Sequence, residues 1–400
     1  MSELAQSDDT PITPAHTKQA LWEFVLVCLK IGATSFGAPT AHIAMMENEF
    51  VRRRKWISEE LFLDALSAAN IVPGPNASEL CYHVGYIRAG YPGLILGGLA
   101  FITPAFITTA ILAALYVRFG SLPQIGGMFY VLNPLVLAIV IDTTWRISKM
   151  SFKGWKQVLI FGLAGLAKVL GLNETFILIL AGLLGILFHH TLQKENYGSP
   201  PPLIVLGLPL IWLTGLVNQA ASWWNSTLTQ IFLYFFKTGS VMFGSAMVLF
   251  ALIEKDVTTR FGWVTMQQLT DAIAVGQITP GPVTSASAFI GYLVGGLPGS
   301  ALAMIGVFLP SFFIVMVTAP MLAKLQGSPI AKAFLKGVNA GVVALILAVV
   351  WVLGQNGLVD FWTVLLLGLG LLALIKLQWP PFVVVLTGLV IGIARALIIG

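Results

Sequence analysis

Long apolar runs, separated by short polar or charged stretches, fill most of this 400-residue chain. A helix needs about 20 apolar residues to cross a bilayer. Runs of suitable length lie at 92–117, 128–147, 157–188, 203–221, 297–323, 337–354, 358–375 and 379–398. The run 157–188 is long enough for two crossings, with a break at Leu172-Asn173-Glu174. Since short alternating strands are lacking, the pattern predicts an all-α integral membrane protein.

Two further regions are apolar but interrupted. Residues 20–46 are broken by Ser35-Phe36-Gly37-Ala38-Pro39, and residues 60–90 carry Pro73-Gly74-Pro75. The two halves of the second region are each roughly 12–15 residues long, which is too short for a straight crossing. Because proline breaks helices, we expect residues 60–90 to form a re-entrant helical hairpin that turns at Pro73-Gly74-Pro75.

The interrupted regions occur twice. The sequence LSAANIVPGPN at 66–76 recurs as the similar sequence IAVGQITPGPV at 273–283, which places a second turn at Pro280-Gly281-Pro282. Residues around the turns recur at a constant spacing of 207 positions. They are Lys30, Gly32, Phe36, Gly37, Glu47, Trp56 and Asp64, followed by Lys237, Gly239, Phe243, Gly244, Glu254, Trp263 and Asp271. A duplicated apolar chain with a helix-breaking motif in each copy is typical of secondary transporters.

The composition agrees with a membrane protein. Hydrophobic residues make up 57% of the chain and charged residues only 10%, too few charges to cover a water-soluble surface. The net charge of +5 does not indicate nucleic-acid binding, because the basic residues are few and lie in loops. Cys28 and Cys81 lie in apolar segments, so they suggest neither a disulfide framework nor a metal site. Residues 1–19 are polar and lack a basic cluster before an apolar run, which argues against a cleaved secretory signal.

The loop charges predict the orientation of the chain. If Arg52, Arg53, Arg54 and Lys55 are cytoplasmic, 14 lysines and arginines fall inside and 5 outside, a positive-inside bias. This requires the second copy to be inverted relative to the first. Either residues 20–46 cross and 203–221 do not, or the reverse, which gives about nine or ten crossings.

The predicted organisation has five parts. These are a polar tail 1–19, a first repeat 20–190, an exposed cytoplasmic linker 191–202, a connecting apolar segment 203–226 and an inverted second repeat 227–400.

Two long segments resemble the chromate ion transporter family in its two-domain form. They run from FGAPTAHIAMMENEF through GYIRAGYPG and from FGSAMVLFALIEKDV through QITPGPV. The matching motif positions are Phe36-Gly37, Arg52 to Trp56, Asn70, Pro73 to Asn76, Gly85-Tyr86, Phe243-Gly244, Trp263, Gln277, Thr279, Pro280 to Pro282 and Gly291-Tyr292. One departure is Gly244-Ser245-Ala246, where the family often has a glycine-rich stretch.

The resemblance implies a function. Such proteins export chromate from the bacterial cytoplasm across the inner membrane and confer chromate resistance, and some members are linked to sulfate. We therefore expect a multi-pass inner-membrane protein with chromate or sulfate as substrate, the lipid bilayer as surroundings and no cofactor. Its size is compatible with a homodimer.

The broken helices suggest how a dianion is held. A helix that starts in mid-bilayer presents free N–H groups and about half a positive charge, and two such ends facing each other would form a dry anion site. Short hydroxyl and amide donors surround both turns. We predict as substrate ligands Asn70, Asn76, Ser78, Gln277, Thr279, Thr284 and Ser285, with Ser287 nearby. Alternatively, the turns serve packing only, and these side chains form hydrogen bonds with the backbone groups that the helix breaks leave without partners.

Charged residues add further candidates. Lys30 and Lys237 sit in apolar stretches at equivalent positions, so we predict that both approach the pseudo-two-fold centre and neutralise the dianion. Alternatively, each snorkels to an interface or pairs with Glu47 or Glu254.

Three other sets are weaker candidates. Arg52, Arg53 and Arg54 are predicted to concentrate anions at a cytoplasmic mouth or to anchor topology. Arg88 occupies the position at which the second copy has Val294. It is a candidate cytoplasmic gate or a loop anchor. Glu79 and His83, four residues apart, are candidates for proton coupling or form a satisfied local pair.

Three function classes compete. The leading hypothesis is a secondary transporter driven by membrane potential or by proton antiport. An anion channel on the same hairpins is the second. An intramembrane enzyme is the third, but no HExxH, GxSxG or Walker lysine loop is present, so we expect no enzyme and no metal site.

Overall fold

A computed structural model describes residues 17–36, 39–119, 123–190, 226–244, 246–321 and 329–399. The first repeat contains α1 (Lys18–Thr34), α2 (Pro39–Glu47), α3 (Glu59–Ala69), α4 (Asn76–Phe119), α5 (Pro123–Ser151), α6 (Trp155–Val169) and α7 (Glu174–His190). The second contains α8 (Thr227–Val241), α9 (Ala246–Lys255), α10 (Met266–Ile278), α11 (Ala286–Thr318), α12 (Pro329–Gly357), α13 (Phe361–Leu371) and α14 (Pro381–Ile399).

One pair of short irregular elements matches between the copies, the π-helical turns Asn48–Arg53 and Asp256–Arg260, which continue α2 and α9. The strands β1 (Gly74–Pro75) and β2 (Phe243–Gly244) lie at the helix breaks, at positions that are not equivalent in the two copies. A third π turn, Leu372–Lys376, extends α13, and single 3-10 turns cover Val283–Ser285 and Ala319–Met321.

The all-α fold with two repeats is therefore confirmed. Within the described ranges, four helices are long and apolar enough to cross a membrane, at Asn76–Phe119, Met128–Ser151, Val283–Thr318 and Pro329–Gly357. Shorter apolar helices cover Glu174–Phe188, Phe361–Lys376 and Pro381–Arg395. Most of the predicted tail, the linker 191–202 and the segment 203–226 up to residue 225 lie outside the described residues.

Each Pro-Gly-Pro lies between two short helical segments, as predicted: α3 and the first part of α4 up to its kink at Ala89, and α10 and the first part of α11 up to its kink at Gly295. Helix α3 begins at the cap Ser58, whose side chain accepts from the Leu61 N–H; α10 begins at Thr265 in a capping box with Gln268. Both helices end just before the motif, because proline cannot donate to a helix and forces the residue before it into an extended conformation.

A second reversal follows the motif, between the predicted hairpin 60–90 and the predicted crossing 92–117, as their order in the chain requires. Helix α4 is kinked at Ala89-Gly90, where Gly90 has φ +64°, and α11 is kinked identically at Gly295-Gly296 with φ +61°. Segment 91–119 runs back along 76–88, and a Cβ at Gly85 would lie 2.5 Å from the carbonyl oxygen of Gly93. Only glycine allows both the left-handed turn and this close approach.

The predicted re-entrant hairpin closes at one membrane face. Residues 76–88, between the turn and the kink of α4, form the returning segment of this hairpin. The guanidinium of Arg88, at its end, lies 5.0 Å from the ring centroid of Trp56, just before α3. Residues 59–88 thus enter and leave on the same side, with Pro73-Gly74-Pro75 at the tip.

Residues 20–46 form a second hairpin and do not cross. After the break at Ser35, helix α2 and its π turn return along α1, which brings the ring centroids of Phe24 and Phe50 to 5.5 Å and those of Phe24 and Trp56 to 6.0 Å. This geometry excludes the arrangement of membrane crossings in which residues 20–46 cross. The other arrangement, with nine membrane crossings, requires residues 203–221 to cross, and these lie outside the described residues.

The two repeats are inverted. Helix α3 of the first repeat starts beside Arg88, next to the start of segment 91–119. Helix α10, its equivalent in the second repeat, starts at the other end of that segment, where Tyr116 donates a 2.7 Å hydrogen bond to Asp271. About 23 helical residues, or roughly 35 Å, separate the two ends, so the equivalent helices enter from opposite faces.

The core lies where α4 meets α11. Tyr82 is fully buried and stacks on Phe312 of the other repeat with ring centroids 4.1 Å apart. Large apolar side chains such as Leu99, Ile107 and Ile111 are exposed on the outer side of α4. In a bilayer, such side chains contact lipid.

Candidate functional site

The turn of each repeat pairs with the broken helix of the other repeat. The Gly74 N–H donates a 2.6 Å hydrogen bond to the carbonyl oxygen of Met242, and the Gly281 N–H donates a 2.7 Å bond to that of Ser35. Strand β1 lies parallel to β2, and Phe36 bridges Pro280. The two predicted turns therefore meet at one pseudo-two-fold centre, as a facing pair of inverted hairpins requires.

Both central glycines hold backbone conformations that other residues rarely adopt. Gly74 has φ +143° and Gly281 has φ +87°. A Cβ on Gly74 would lie 2.7 Å from the Cβ of Ser311, and one on Gly281 would lie 2.9 Å from the Cβ of Ala105. Ser311 and Ala105 are equivalent positions on the crossing helices, so each turn is wedged against the other repeat in the same way.

A small cavity of about 20 Å³ lies at this centre. It is lined by equivalent residues from the two repeats, together with His42: Pro39 and Ala246, Pro75 and Pro282, Asn76 and Val283, Ala77 and Thr284. Two helices begin on it, α4 at Asn76 and the 3-10 turn that leads into α11 at Val283. Free N–H groups and the positive ends of two helix dipoles thus point at one cavity, an arrangement suited to an anion.

Two predicted ligands line the cavity directly. They are Asn76, whose Nδ2 donates a 2.5 Å hydrogen bond to Asn70 Oδ1, and Thr284, whose buried hydroxyl has no hydrogen-bond partner among the described residues. Asn70 itself is exposed. Ser78 is buried two residues after Asn76 in α4, and its hydroxyl also has no hydrogen-bond partner in the described part of the chain.

The other predicted ligands lie behind the second turn. Ser285 Oγ lies 3.2 Å from Thr109 Oγ1 and 3.4 Å from Thr279 Oγ1, and all three residues are fully buried. Gln277 is buried too. These groups form a hydroxyl cluster beside the cavity instead of lining it.

The prediction that Lys30 and Lys237 meet at the centre is wrong. Lys30 Nζ donates to Glu49 Oε1 at 2.9 Å, and its side chain is 53% exposed. Lys237 is buried and lines a separate small cavity with Glu174 and Asp256. Helical side chains lean toward the N-terminus of their helix, so each lysine points away from the break and toward the membrane face where its helix starts.

The acidic partners of these lysines were missed. Glu49 and Asp256 are equivalent, as are Arg53 and Arg260, and all lie in the π turns. Arg53 binds Glu49 at 3.0 Å, while Arg260 lies 3.7 Å from Asp256. Their constant spacing of 207 positions was a usable signal, and π turns occur frequently at functional sites. Each membrane face therefore carries a lysine, a carboxylate and an arginine from equivalent positions.

The predicted cytoplasmic mouth is largely ion-paired. Arg52 binds Glu47 at 2.6 Å, and Arg53 and Arg54 bind Glu49 at 3.0 and 3.2 Å. The hydrogen bond from Lys30, with help from Arg54 and Arg53, lowers the pKa of Glu49 to about 2. Glu49 therefore stays charged at all physiological pH values and offsets part of the positive potential.

Arg88 belongs to the same face. Its guanidinium lies over Trp56, as does that of Arg54, and its Nη2 is 3.7 Å from Glu23 Oε2. It thus joins α1, the start of α3 and the end of the returning segment, which keeps both the gate and the anchor interpretation open.

Glu79 and His83 are buried on the returning segment. Neither carboxylate oxygen of Glu79 and neither ring nitrogen of His83 has a hydrogen-bond partner among the described residues. The alternative of a satisfied local pair is therefore wrong, because the two side chains do not bond to each other.

One family model matches this chain twice, once in each repeat. The family described as Chromate transporter matches residues 22–186 and 229–393, one match per repeat. The chain belongs to the chromate transporter family. This is a family of transporters, which agrees with a multi-pass membrane protein and with the apolar helices described above.

Named relatives cover most of the chain. A probable chromate transport protein of Synechococcus elongatus is 32% identical over 92% of this chain and 93% of its own length. The chromate transport protein of Cupriavidus metallidurans is 31% identical over 90% of this chain and 89% of its own length. An uncharacterized transporter of Methanocaldococcus jannaschii is 27% identical over 80% and 81%. No solved structure matches the chain.

Proposed function

We propose that this chromate transporter family member exports chromate, a tetrahedral dianion, from the bacterial cytoplasm across the inner membrane and so confers chromate resistance. The observation that carries the proposal is the central cavity, on which two helix N-termini from inverted repeats converge. The names of the relatives support chromate as the substrate. Sulfate, a dianion of similar shape, is the second substrate.

The size of the cavity favours a transporter over a channel. About 20 Å³ holds roughly one water molecule, which is too little for a tetrahedral oxyanion. Binding therefore requires the two wedged turns to separate, a conformational step that an open anion channel does not need. The alternative of a channel on the same fold predicts unitary currents under voltage clamp, whereas a transporter saturates at low turnover.

The direction follows from charge. The face with Arg52, Arg53, Arg54 and Arg88 is cytoplasmic under the positive-inside rule. An inside-negative potential then drives a dianion outward by about 4–5 kcal/mol per 100 mV. Potential alone suffices for export, and proton antiport through Glu79 or His83 is the second form of coupling. A homodimer stays a prediction.

The test is uptake of chromate and sulfate into inverted vesicles, with and without a pH gradient. Asn76→Val and Thr284→Val each remove a donor from the cavity and are expected to raise the apparent KM about tenfold, since a hydrogen bond to a charged group contributes about 1.5–3 kcal/mol. Thr103→Val is the matched control, because Thr103 is exposed and its hydroxyl donates a hydrogen bond to the Leu99 carbonyl of its own helix. An unchanged KM in both cavity variants would remove this cavity as the binding site.

A further inference from the structure

We infer that Glu79 is a proton-binding residue of the anion site, and that its carboxyl group becomes protonated when a dianion occupies the central cavity. This inference rests on the proposed function. Because the proton is taken up together with the anion, we predict co-transport of one proton per anion in each chain, in place of the proton antiport named above as the second form of coupling.

Glu79 lies at the first turn beside the cavity. It is three residues after Asn76, which lines the cavity and begins α4. Its Oε1 would lie 2.0 Å from a Cβ built on Gly74, so the carboxyl group packs directly against the Pro-Gly-Pro backbone. On the opposite repeat, Ser311 packs against the same glycine.

The carboxyl group has no counter-charge in the structure. Glu79 is fully buried, and neither oxygen has a hydrogen-bond partner among the described residues. Nor does any lysine or arginine of the described ranges form an ion pair with it. An isolated carboxylate in such surroundings is costly, so the closed state holds it as the neutral acid.

The titratable groups around this turn come from three helices. Tyr82 and His83 share the returning segment with Glu79, His42 of α2 lines the cavity, and Cys28 of α1 lies 3.4 Å from Cys81. From α11 the neighbouring group is Ser311, which does not titrate in the physiological range. His83 sits one turn further from Asn76 than Glu79 does. Glu79 is therefore the acidic group that faces the turn.

A dianion and a charged Glu79 would compete for the same positive helix end. The N-terminus of α4 supplies about half a positive charge, and two like charges in one dry site do not both stay ionised. The anion-free protein in solution must open before an anion can enter, and in this open, hydrated form Glu79 ionises, so proton uptake is counted from the open form. When an anion binds and the turns close, the carboxyl group must take up a proton.

The second repeat fixes the stoichiometry. The position equivalent to Glu79 falls at Ser285 or Ala286, depending on where the one-residue slip between the copies is placed. Neither residue ionises there. We therefore expect at most one proton per anion, although the backbone of the site is duplicated.

The test measures protons taken up on anion binding. The purified full chain in detergent is titrated with sulfate and with chromate by calorimetry, in buffers of different ionisation enthalpy at one pH. The wild type is expected to take up close to one proton per anion, and its affinity should fall up to tenfold per pH unit over the range where Glu79 ionises. Glu79→Gln, a neutral isostere, should bind with an affinity independent of pH and take up no proton.

His83→Gln is the matched control and should keep the proton uptake of the wild type. Infrared difference spectra of the wild type on anion perfusion supply a readout that needs no variant, namely a carboxylic-acid band that appears with the anion. The inference is overturned if the wild type binds without proton uptake, or if uptake survives in Glu79→Gln and is lost in His83→Gln. Failure of the wild type to bind either anion would instead contradict the proposed function.

Discussion

Glu49 and Asp256 hold the same place in the two repeats, and each faces the arginine four residues after it, at 3.0 Å from Arg53 and 3.7 Å from Arg260. Because the repeats are inverted, the two groups lie near opposite membrane faces. In the first repeat Lys30 is half-exposed and bonds directly to Glu49, whereas Lys237 in the second repeat is buried. Equivalent residues thus occupy two different environments in one structure, as expected when inverted repeats adopt different conformations.

The ion-paired group around Glu49 predicts a pH effect on stability. The pKa of Glu49 falls from 4.5 to about 2, chiefly because of the hydrogen bond from Lys30. A lowered pKa in the folded state means that the charge of Glu49 stabilises the fold fully above about pH 4.5, and that this contribution is lost as the pH falls toward 2. We expect the melting temperature of Glu49→Gln to lie below that of the wild type at pH 7 and the gap to shrink below pH 4.5.

Glu47→Gln is the control for this measurement. Within the described ranges Glu47 forms its one ion pair with Arg52, whose side chain is 70% exposed, so removal of the Glu47 charge should change the melting temperature little. An equal gap for Glu49→Gln at pH 3 and pH 7 would contradict the assignment.

The two lysines should behave differently when neutralised. Lys237 is buried in a small cavity with Glu174 and Asp256. Lys237→Met leaves Glu174 with Lys168 and Asp256 with the more distant Arg260, so it should destabilise the protein by about 1–3 kcal/mol, less than the loss of a sole buried partner costs. Lys30→Met removes a half-exposed partner and leaves Arg53 and Arg54 on Glu49, so it should cost clearly less. Both are measured by thermal unfolding and by uptake in inverted vesicles.

A double variant separates charge from packing. In Lys237→Met/Asp256→Asn the carboxylate that shares the cavity with Lys237 is neutralised as well, so part of the lost stability should return, because neighbouring changes are not additive. Equal losses for the two lysine variants would show that burial of Lys237 has no energetic consequence.

The turn glycines should tolerate no side chain. Gly74→Ala forces a strained φ of +143° and drives a methyl group into Glu79 and Ser311. We expect a loss of roughly 2–4 kcal/mol and of transport. Gly281→Ala, which meets Ala105 at 2.9 Å, should cost somewhat less. Thermal unfolding and vesicle uptake measure both effects.

Gly162→Ala provides the matched control. Gly162 lies within α6, and a Cβ there meets nothing within 4 Å. Since alanine favours helix over glycine by about 1 kcal/mol, this variant should be as stable as the wild type or more so. Normal transport by Gly74→Ala would show that the turn does not need its observed geometry.

Much of the fold was predictable because it depends on local sequence. Pro73-Gly74-Pro75 and its copy break helices wherever they occur, and the constant spacing between copies reveals the repeat. Loop charges then determine inversion. These features need no knowledge of which segments touch, so a single sequence suffices.

The pairing at the centre was not predictable in detail. That the Gly74 N–H bonds to Met242, and not to its own repeat, depends on packing between segments far apart in the chain. The lysines were misplaced for a simpler reason. Lys30 is close in sequence to the break at Ser35, but its side chain leans away from the break and reaches Glu49.

The contact between repeats can be tested by cross-linking. Thr109 Oγ1 on the crossing helix α4 lies 3.2 Å from Ser285 Oγ behind the second turn. Thr109→Cys with Ser285→Cys, in a background with Cys28→Ser and Cys81→Ser, should form a disulfide under mild oxidation, because both side chains face each other at a distance that small movements close. Cleavage by a protease site inserted at 191–202 would then leave the two halves covalently joined on a non-reducing gel.

The neighbouring residue Thr108 gives the matched control. It lies about 100° further round the helix and bonds to the Pro104 carbonyl, so Thr108→Cys with Ser285→Cys should not cross-link. If oxidation joins both pairs equally, or neither, the turn of the second repeat does not pack against α4 as described. If only the Thr109 pair is joined and the join abolishes uptake reversibly, separation of the turns is part of transport.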